Sequence, residues 1–148
     1  MKNIKIAILG LGLLTFGLSS CGTTTGTGSA NTESTTNLAL LGSWTLSEID
    51  GSNINEDFPN KKPSLTFEPV TKKFTGNSGC NNVFGSFTTN NNAINFGDAA
   101  STKMFCEGVN EKVFTDALDK VTHFKLEGTR LILLEKDKKL MELVQQYE

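Results

Sequence analysis

Three cysteines and a single histidine are the most reactive side chains of this 148-residue sequence. Cys21 ends an apolar N-terminal run, Cys80 and Cys106 lie in the middle of the chain, and His123 follows them. A cysteine nucleophile needs a neighbouring base or positive charge. His123 alternates with Phe124 in a strand-like segment, so we expect it to face solvent. The chain also lacks the serine-hydrolase, zinc-protease, Walker and dinucleotide-binding motifs, and it is therefore predicted not to be an enzyme.

A metal site would have to use soft ligands, because thiolates and thioethers favour Cu(I) or Zn²⁺. The candidates are Cys80, Met104, Cys106 and His123. They lack the tight spacing that marks known metal motifs. We therefore expect neither a metal nor a cofactor.

The N-terminus has the organisation of a secretory signal. Lys2 and Lys5 supply positive charge, and residues 6–18 form an apolar run that is too short to span a bilayer. The residues before Cys21, Leu-Ser-Ser, resemble the lipobox of bacterial lipoproteins. This resemblance implies that residues 1–20 are removed and that Cys21 carries the lipid. An ordinary signal peptide cut elsewhere, or a buried N-terminal helix, is the alternative.

Residues 22–37 are almost entirely Gly, Thr, Ser and Asn, a composition that cannot bury enough apolar surface to order itself. Residues 21–37 are therefore predicted to be a lipidated cysteine and a flexible linker, and residues 38–148 a single domain. The net charge of −2 disfavours nucleic acid. We expect a monomer held in the cell envelope by its lipid, facing the periplasm, from the outer membrane rather than the inner one.

Short alternating runs separated by Gly, Asn and Pro predict antiparallel β-structure through most of the domain. A hairpin is expected across residues 90–92, because Asn tolerates the positive φ of tight turns. The predicted strands cover residues 42–50, 65–67, 73–75, 84–89, 93–96, 122–127, 130–135 and 140–144.

Residues 110–121 instead carry apolar side chains at helical spacing, with charges on the opposite face. We expect Asn110 to cap this amphipathic helix and Glu111 to suit its positive start. The run from Arg130 to Leu134 is almost continuously apolar, which predicts a central strand covered on both faces. The basic residues 136–139 are expected in a solvated turn between two strands.

Two blocks of sequence resemble the META-domain family, whose bacterial members include heat-shock-inducible envelope proteins of the HslJ type. The first block, GNSGCNNVFGSF, begins at Gly76, and the second, STKMFC, ends at Cys106. The matching residues are Gly76, Gly79, Cys80, Asn81, Gly85, Thr102, Met104 and Cys106. The resemblance implies a mainly β (α+β) fold, a small antiparallel, lipocalin-like β-barrel with one packed amphipathic helix.

The glycines of the first block favour a structural role over a binding site, since they suit a tight bend or bulge between strands. Phe84 and Phe87 are expected on opposite faces of their strand. Thr102 and Met104 would share a face with Cys106 if the second block were extended. Once Cys21 is lipidated, Cys80 and Cys106 are left to form a disulfide or to remain two buried thiols.

The sequence thus favours a non-catalytic envelope lipoprotein. The family resemblance implies a role in stress response or envelope maintenance, which we expect to act through contacts with an unknown envelope protein. The alternative is a carrier, because a barrel of this shape can enclose a small hydrophobic ligand. A third hypothesis, an enzyme that uses Cys80 or Cys106, is the least supported.

Overall fold

The computed structural model describes residues 38–147. The predicted signal peptide (residues 1–20), the lipidation site Cys21 and the linker (residues 21–37) lie outside these residues. Within residues 38–147, no helix is long and apolar enough to cross a membrane.

The described residues form nine strands and two helices. In chain order they are β1 (Gly42–Ile49), α1 (Ile54–Asp57), β2 (Ser64–Glu68), β3 (Lys73–Asn77), β4 (Asn82–Asn90), β5 (Ala93–Phe96), β6 (Ala100–Ser101), α2 (Glu111–Lys120), β7 (His123–Glu127), β8 (Arg130–Glu135) and β9 (Lys138–Gln146). The predicted strands are all present. The short helix α1 and the two-residue strand β6 were not predicted, because segments this short carry no periodic signal.

Eight of the strands close into an antiparallel barrel. The sheet order is β3-β2-β1-β9-β8-β7-β5-β4, and pairing of β3 with β4 joins its two edges. Strand β6 pairs with the first part of β4, and β5 pairs with the last part of it. The fold class predicted from the sequence, a small antiparallel barrel with a packed helix, is confirmed.

The seam between β5 and β7 is the weakest in the wall. Only Ala93 and His123 face each other in register there. Two backbone hydrogen bonds support this pair, from Ile94 N to Thr122 O at 3.0 Å and from Phe124 N to Asn92 O at 2.8 Å. The other neighbouring strands in the barrel wall pair over at least four registered positions.

Alternation places one face of each strand in the barrel interior. In β8, Leu131 and Leu133 are fully buried, whereas Ile132 and Leu134 between them are only partly buried. The prediction that this strand is covered on both faces was therefore wrong. A barrel wall has one interior side, and the inner-face residues of the helix, Phe114 and Leu118, are buried in the same core as Leu131 and Leu133.

Aromatic rings fill the interior. The ring of Phe67 lies edge-on to Phe87 at a centroid distance of 5.2 Å and 6.0 Å from Phe96. Phe74 meets Phe96 edge-on at 5.1 Å. Trp44 is buried with them, and its indole N–H donates to the carbonyl oxygen of Leu40 at 2.9 Å. Edge-to-face contacts of this kind stabilise a core beyond the area they bury.

The predicted helix is present as α2, and Phe114 and Leu118 on its inner face are buried in the barrel core. Asn110 does occupy the N-cap position, but its side chain makes no capping hydrogen bond. Its amide nitrogen donates instead to Asp57 Oδ1 at 3.0 Å. The cap prediction was wrong because Asp57, a distant residue at the end of α1, takes the side chain.

The connections between successive strands lie at the two ends of the barrel, which we call the terminal end and the helix end. The terminal end carries the chain at residue 38, the turns 69–72, 91–92 and 128–129, and the chain at residue 147. The helix end carries the connections 50–63, 78–81, 97–122 and 136–137. Cys80, Cys106 and α2 therefore share the helix end, opposite to the end at which residue 38 lies.

We expect Phe67→Ala to lower the free energy of unfolding by about 3–5 kcal/mol, because it removes a ring from a filled core. Phe84 is the matched control, since it lies on the outer face of β4 with 48% of its surface exposed. Phe84→Ala should change stability by about 1 kcal/mol or less. Urea denaturation of both variants measures the difference. Equal losses would contradict the assignment of Phe67 to the core.

Candidate functional site

The family motif forms the tight turn between β3 and β4. Ser78 closes this turn on Asn81, since its backbone N–H donates to the Asn81 carbonyl at 2.8 Å and its hydroxyl oxygen lies 3.0 Å from the same carbonyl oxygen. Gly79 has a φ of +101°, a conformation that side chains other than glycine rarely adopt. A Cβ at this position would also collide with the ring of Phe58. The expected bend between strands is therefore present, and it requires this glycine.

The other two motif glycines make room for neighbours. A Cβ on Gly76 would overlap the carbonyl oxygen of Ser64 in the adjoining strand β2. A Cβ on Gly85 would lie 2.9 Å from the ring of Phe74. Gly85 keeps the regular alternation of β4, with Phe84 outside and Phe87 inside as predicted.

Asn81 is the centre of the site, and only 1% of its surface is exposed. Its amide oxygen accepts hydrogen bonds from the Thr102 hydroxyl at 2.8 Å and from the Met104 backbone N–H at 2.7 Å. Its amide nitrogen donates to the Met104 carbonyl at 3.1 Å and to the Glu111 carboxylate at 2.9 Å. One buried side chain thus ties the β3–β4 turn to residues 102–104 and to the start of α2.

Residues 102–106, which we call the clamped loop, hold the second family block. Its first residue pairs with β4, as Thr102 N donates to Asn82 O at 3.1 Å and Asn82 N donates to the Thr102 hydroxyl at 3.1 Å. Its last residue, Cys106, forms a disulfide with Cys80, and the two Cα atoms are 5.9 Å apart. The structure therefore favours the disulfide over the pair of free thiols. In the chain-entropy model, a disulfide that closes a loop of this length stabilises the folded state by about 3–4 kcal/mol.

The clamped loop forms no strand of its own. Met104 and Phe105 instead point away from the core, with 60% and 92% of their surfaces exposed. The backbone of Met104 is held by Asn81 while its side chain remains exposed. Two large apolar side chains are thus displayed on a loop that is fixed at both ends.

Glu111 was expected only to suit the helix start. Its carboxylate also accepts from the Ser78 hydroxyl at 2.7 Å, besides the Asn81 amide. Desolvation by partial burial would raise the pKa of this carboxyl, but the hydrogen bonds from Asn81 and Ser78 together outweigh it and hold the pKa below its usual value. Sequence inspection could not find this role, because the partners are separated by 30 and 33 residues.

A second link joins α1 to α2. The Asp57 carboxylate accepts hydrogen bonds from the Ser52 hydroxyl and from the Asn110 amide, and both bonds lower its pKa. The backbone N–H of Asn110 also donates to the Asp57 carbonyl at 2.9 Å. The connection 50–63 is thereby fixed to the start of α2.

The polar side chains of this site are engaged in hydrogen bonds with one another. Ser78 and Glu111 are hydrogen bonded, but the serine is fully buried. A carboxylate whose pKa is lowered is also a poor general base near neutral pH. The two cysteines are joined and offer no thiol. His123 is not part of this site and hydrogen bonds to the Thr122 hydroxyl at 2.9 Å. Within residues 38–147, no three His, Cys, Asp or Glu side chains are placed to hold a metal ion.

The fold and the site together define a small disulfide-linked β-barrel with a clamped loop at the helix end. A family model for the META domain matches residues 36–148, so the chain belongs to the META domain family. A comparison with curated proteins finds no significant match.

Solved structures share the fold. An NMR structure of a protein from Burkholderia xenovorans is 19% identical, covers 88% of this chain and 100% of its own, and superposes with a TM-score of 0.61. A crystal structure of a DUF4847 family protein from Bacteroides vulgatus is 16% identical, covers 72% of this chain and 94% of its own, and has a TM-score of 0.51. At these identities the likeness concerns the architecture alone.

We expect Asn81→Ala to lower the free energy of unfolding by about 2–4 kcal/mol. The substitution leaves the Met104 N–H and the Glu111 carboxylate without their buried partner. Asn95→Ala, on the exposed outer face of β5, is the matched control and should be nearly neutral. Urea denaturation with the disulfide intact makes the comparison. A neutral Asn81→Ala would show that the amide does not hold the site together.

The lowered pKa of Glu111 makes stability depend on pH. Because the unfolded carboxyl takes up its proton at a higher pH than the folded one, the contribution of Glu111 is present above its ordinary value of 4.5. It is lost as the pH falls through the folded pKa. Glu111→Gln should be less stable than wild type at pH 7, and the gap should shrink steadily as urea melts are repeated at more acid pH.

Glu107→Gln is the control for this series, since Glu107 is an exposed glutamate in the same connection. This exposed substitution should change the free energy of unfolding at pH 7 by about 0.5 kcal/mol or less. A gap between wild type and Glu111→Gln that stays constant with pH would contradict the proposed stabilisation of the ionised Glu111.

Proposed function

We propose that this protein is a non-catalytic envelope lipoprotein whose barrel presents the clamped loop to an envelope protein partner. The observation that carries the proposal is the exposure of Met104 and Phe105 at 60% and 92% on a loop fixed by a disulfide and by Asn81. Aromatic and methionine side chains are enriched where proteins bind each other.

Rigidity makes such a loop suitable for recognition. A flexible loop loses conformational entropy when it binds, whereas a loop held in advance loses little. The clamped loop is fixed at Thr102 by pairing with β4, at Met104 by Asn81, and at Cys106 by the disulfide. Phe105 stands between the last two of these points, so its ring is displayed from a fixed backbone.

The position of the loop agrees with an anchor at Cys21. The linker joins the domain at the terminal end, and the clamped loop lies at the helix end. A barrel tethered in this way can present the loop away from the membrane. The expected location, in the envelope and facing the periplasm, rests on the signal and lipobox residues of the sequence. A role in stress response or envelope maintenance is supported by resemblance to the HslJ-type proteins of the family.

The carrier hypothesis is less well supported. The barrel interior contains Trp44 and the contacting rings of Phe67, Phe74, Phe87 and Phe96. Side chains that pack at the density of a protein core leave little room for a ligand. Native mass spectrometry of detergent-free protein tests this directly, since a retained hydrophobic molecule would favour a carrier over a docking module.

We expect a photo-crosslinking phenylalanine analogue at position 105 of the full-length chain to form one discrete adduct in intact cells. The same analogue at position 70 is the control, because Val70 is equally exposed but lies at the terminal end. Equal adducts at both positions, or none at position 105, would contradict the proposal.

Once the partner has been identified from the adduct, its affinity for this protein can be measured with both proteins purified. A residue at the centre of an interface is typically worth about 2 kcal/mol or more, so Phe105→Ala should weaken binding about 30-fold. Val70→Ala should leave the affinity unchanged. Thermal unfolding of both variants verifies that the barrel is intact.

A further inference from the structure

Four exposed apolar side chains lie at the terminal end of the barrel. They are Leu38 (56% exposed), Leu41 (54%), Val70 (88%) and Tyr147 (75%). None of them belongs to the family motifs or to the clamped loop. We call them the terminal patch.

Strand register brings the members of the terminal patch close together. Gly42, next to Leu41, pairs with Phe67 of β2, and the chain of β2 turns back through Val70 shortly afterwards. On the other side of β1, Ser43 pairs with Gln146, which precedes Tyr147. The patch therefore surrounds the start of β1 from both neighbouring strands.

The entry segment is fixed to the barrel. Leu40 is fully buried, and its carbonyl oxygen accepts the indole N–H of Trp44 at 2.9 Å. Leu41 N also donates to Leu38 O at 3.1 Å, which closes a turn. Leu38 and Leu41 are thus held at the rim of the barrel, where their apolar side chains face outward on either side of the buried Leu40.

We infer that the terminal patch docks onto the lipid surface that holds the anchor. The inference rests on the proposed lipidation of Cys21. Residues 22–37 connect this cysteine to residue 38, and their composition predicts a linker that spans on the order of 20 Å. Such a tether keeps the terminal end at a high effective concentration next to the bilayer, so a small apolar surface is sufficient for docking.

The chemistry of the rim suits a lipid headgroup layer. Tyr147 combines an aromatic ring with a hydroxyl, and this combination favours the boundary between lipid and water. Lys72 and Lys73 are exposed beside Val70 on the same hairpin, where their long side chains can reach anionic headgroups. Docking at this end leaves Met104 and Phe105, at the helix end, free for a partner.

The test uses the full-length lipidated chain in vesicles of phosphatidylethanolamine and phosphatidylglycerol. Mass spectrometry of the N-terminal peptide first establishes the lipid on Cys21, so that failure of the anchor is distinguished from failure of docking. Val70→Cys then carries a nitroxide label, and Asn95→Cys on the outer wall carries the control label. The structural disulfide leaves Cys80 and Cys106 unreactive toward the label.

We expect a water-soluble relaxing agent to reach the label at position 70 at least about threefold less well than the label at position 95. Replacing Leu38, Leu41 and Tyr147 with serine should abolish this protection, and circular dichroism verifies the fold of that variant. Equal accessibility at the two positions would overturn the inference. Protection at position 70 in the unlipidated Cys21→Ser chain, measured without vesicles or detergent, would also overturn it, since it would indicate a second copy rather than lipid.

Discussion

The helix end of this protein depends on one buried amide. Asn81 offers two donors and one acceptor oxygen. One donor meets Glu111 at the start of α2, and the other donor and the oxygen meet Thr102 and Met104 in the clamped loop. A buried polar network is stable only when all of its members are satisfied. Here the β3–β4 turn, the clamped loop and the start of α2 satisfy one another through the same side chain. The disulfide adds a covalent link between two of these three segments.

The barrel wall imposes a second constraint. A single layer of strands has one inside, so only alternate residues can be buried, and the number of large rings is limited by the space they enclose. Phe67, Phe74 and Phe87 use that space within the barrel, and Phe114 from α2 is buried in the same core. The disulfide, Asn81 and the clamped loop consequently lie on the connections at the helix end, and the barrel wall supports them.

Several features could be predicted because their cause is local. The hairpin at residues 90–92 follows from asparagine's tolerance of positive φ, and Asn91 has a φ of +53°. The periodicity of α2 is equally local, and its inner residues are buried as expected. The β3–β4 bend could be predicted from its glycines, and the barrel fold was implied by the family resemblance.

What could not be predicted depends on distant partners. Asn110 fits the composition of an N-cap, but Asp57 competes for its amide. Ile132 and Leu134 are apolar, yet the apolar content of a strand does not reveal whether one side or both will be covered. The Cys80–Cys106 bond spans 26 residues, a separation that carries no information on the distance between the Cα atoms.

We expect the weakly paired seam between β5 and β7 to be the first part of the barrel wall to open. Its single registered pair has fewer backbone hydrogen bonds than the other strand pairs of the barrel. Local opening should therefore begin at this seam, and its amide protons should exchange before those of β1 and β9. The crossover from β5 to β7 contains α2 and is bound through Cys106 to Cys80 in the β3–β4 turn. The disulfide therefore keeps the middle of the crossover attached to the β3–β4 turn when the seam opens.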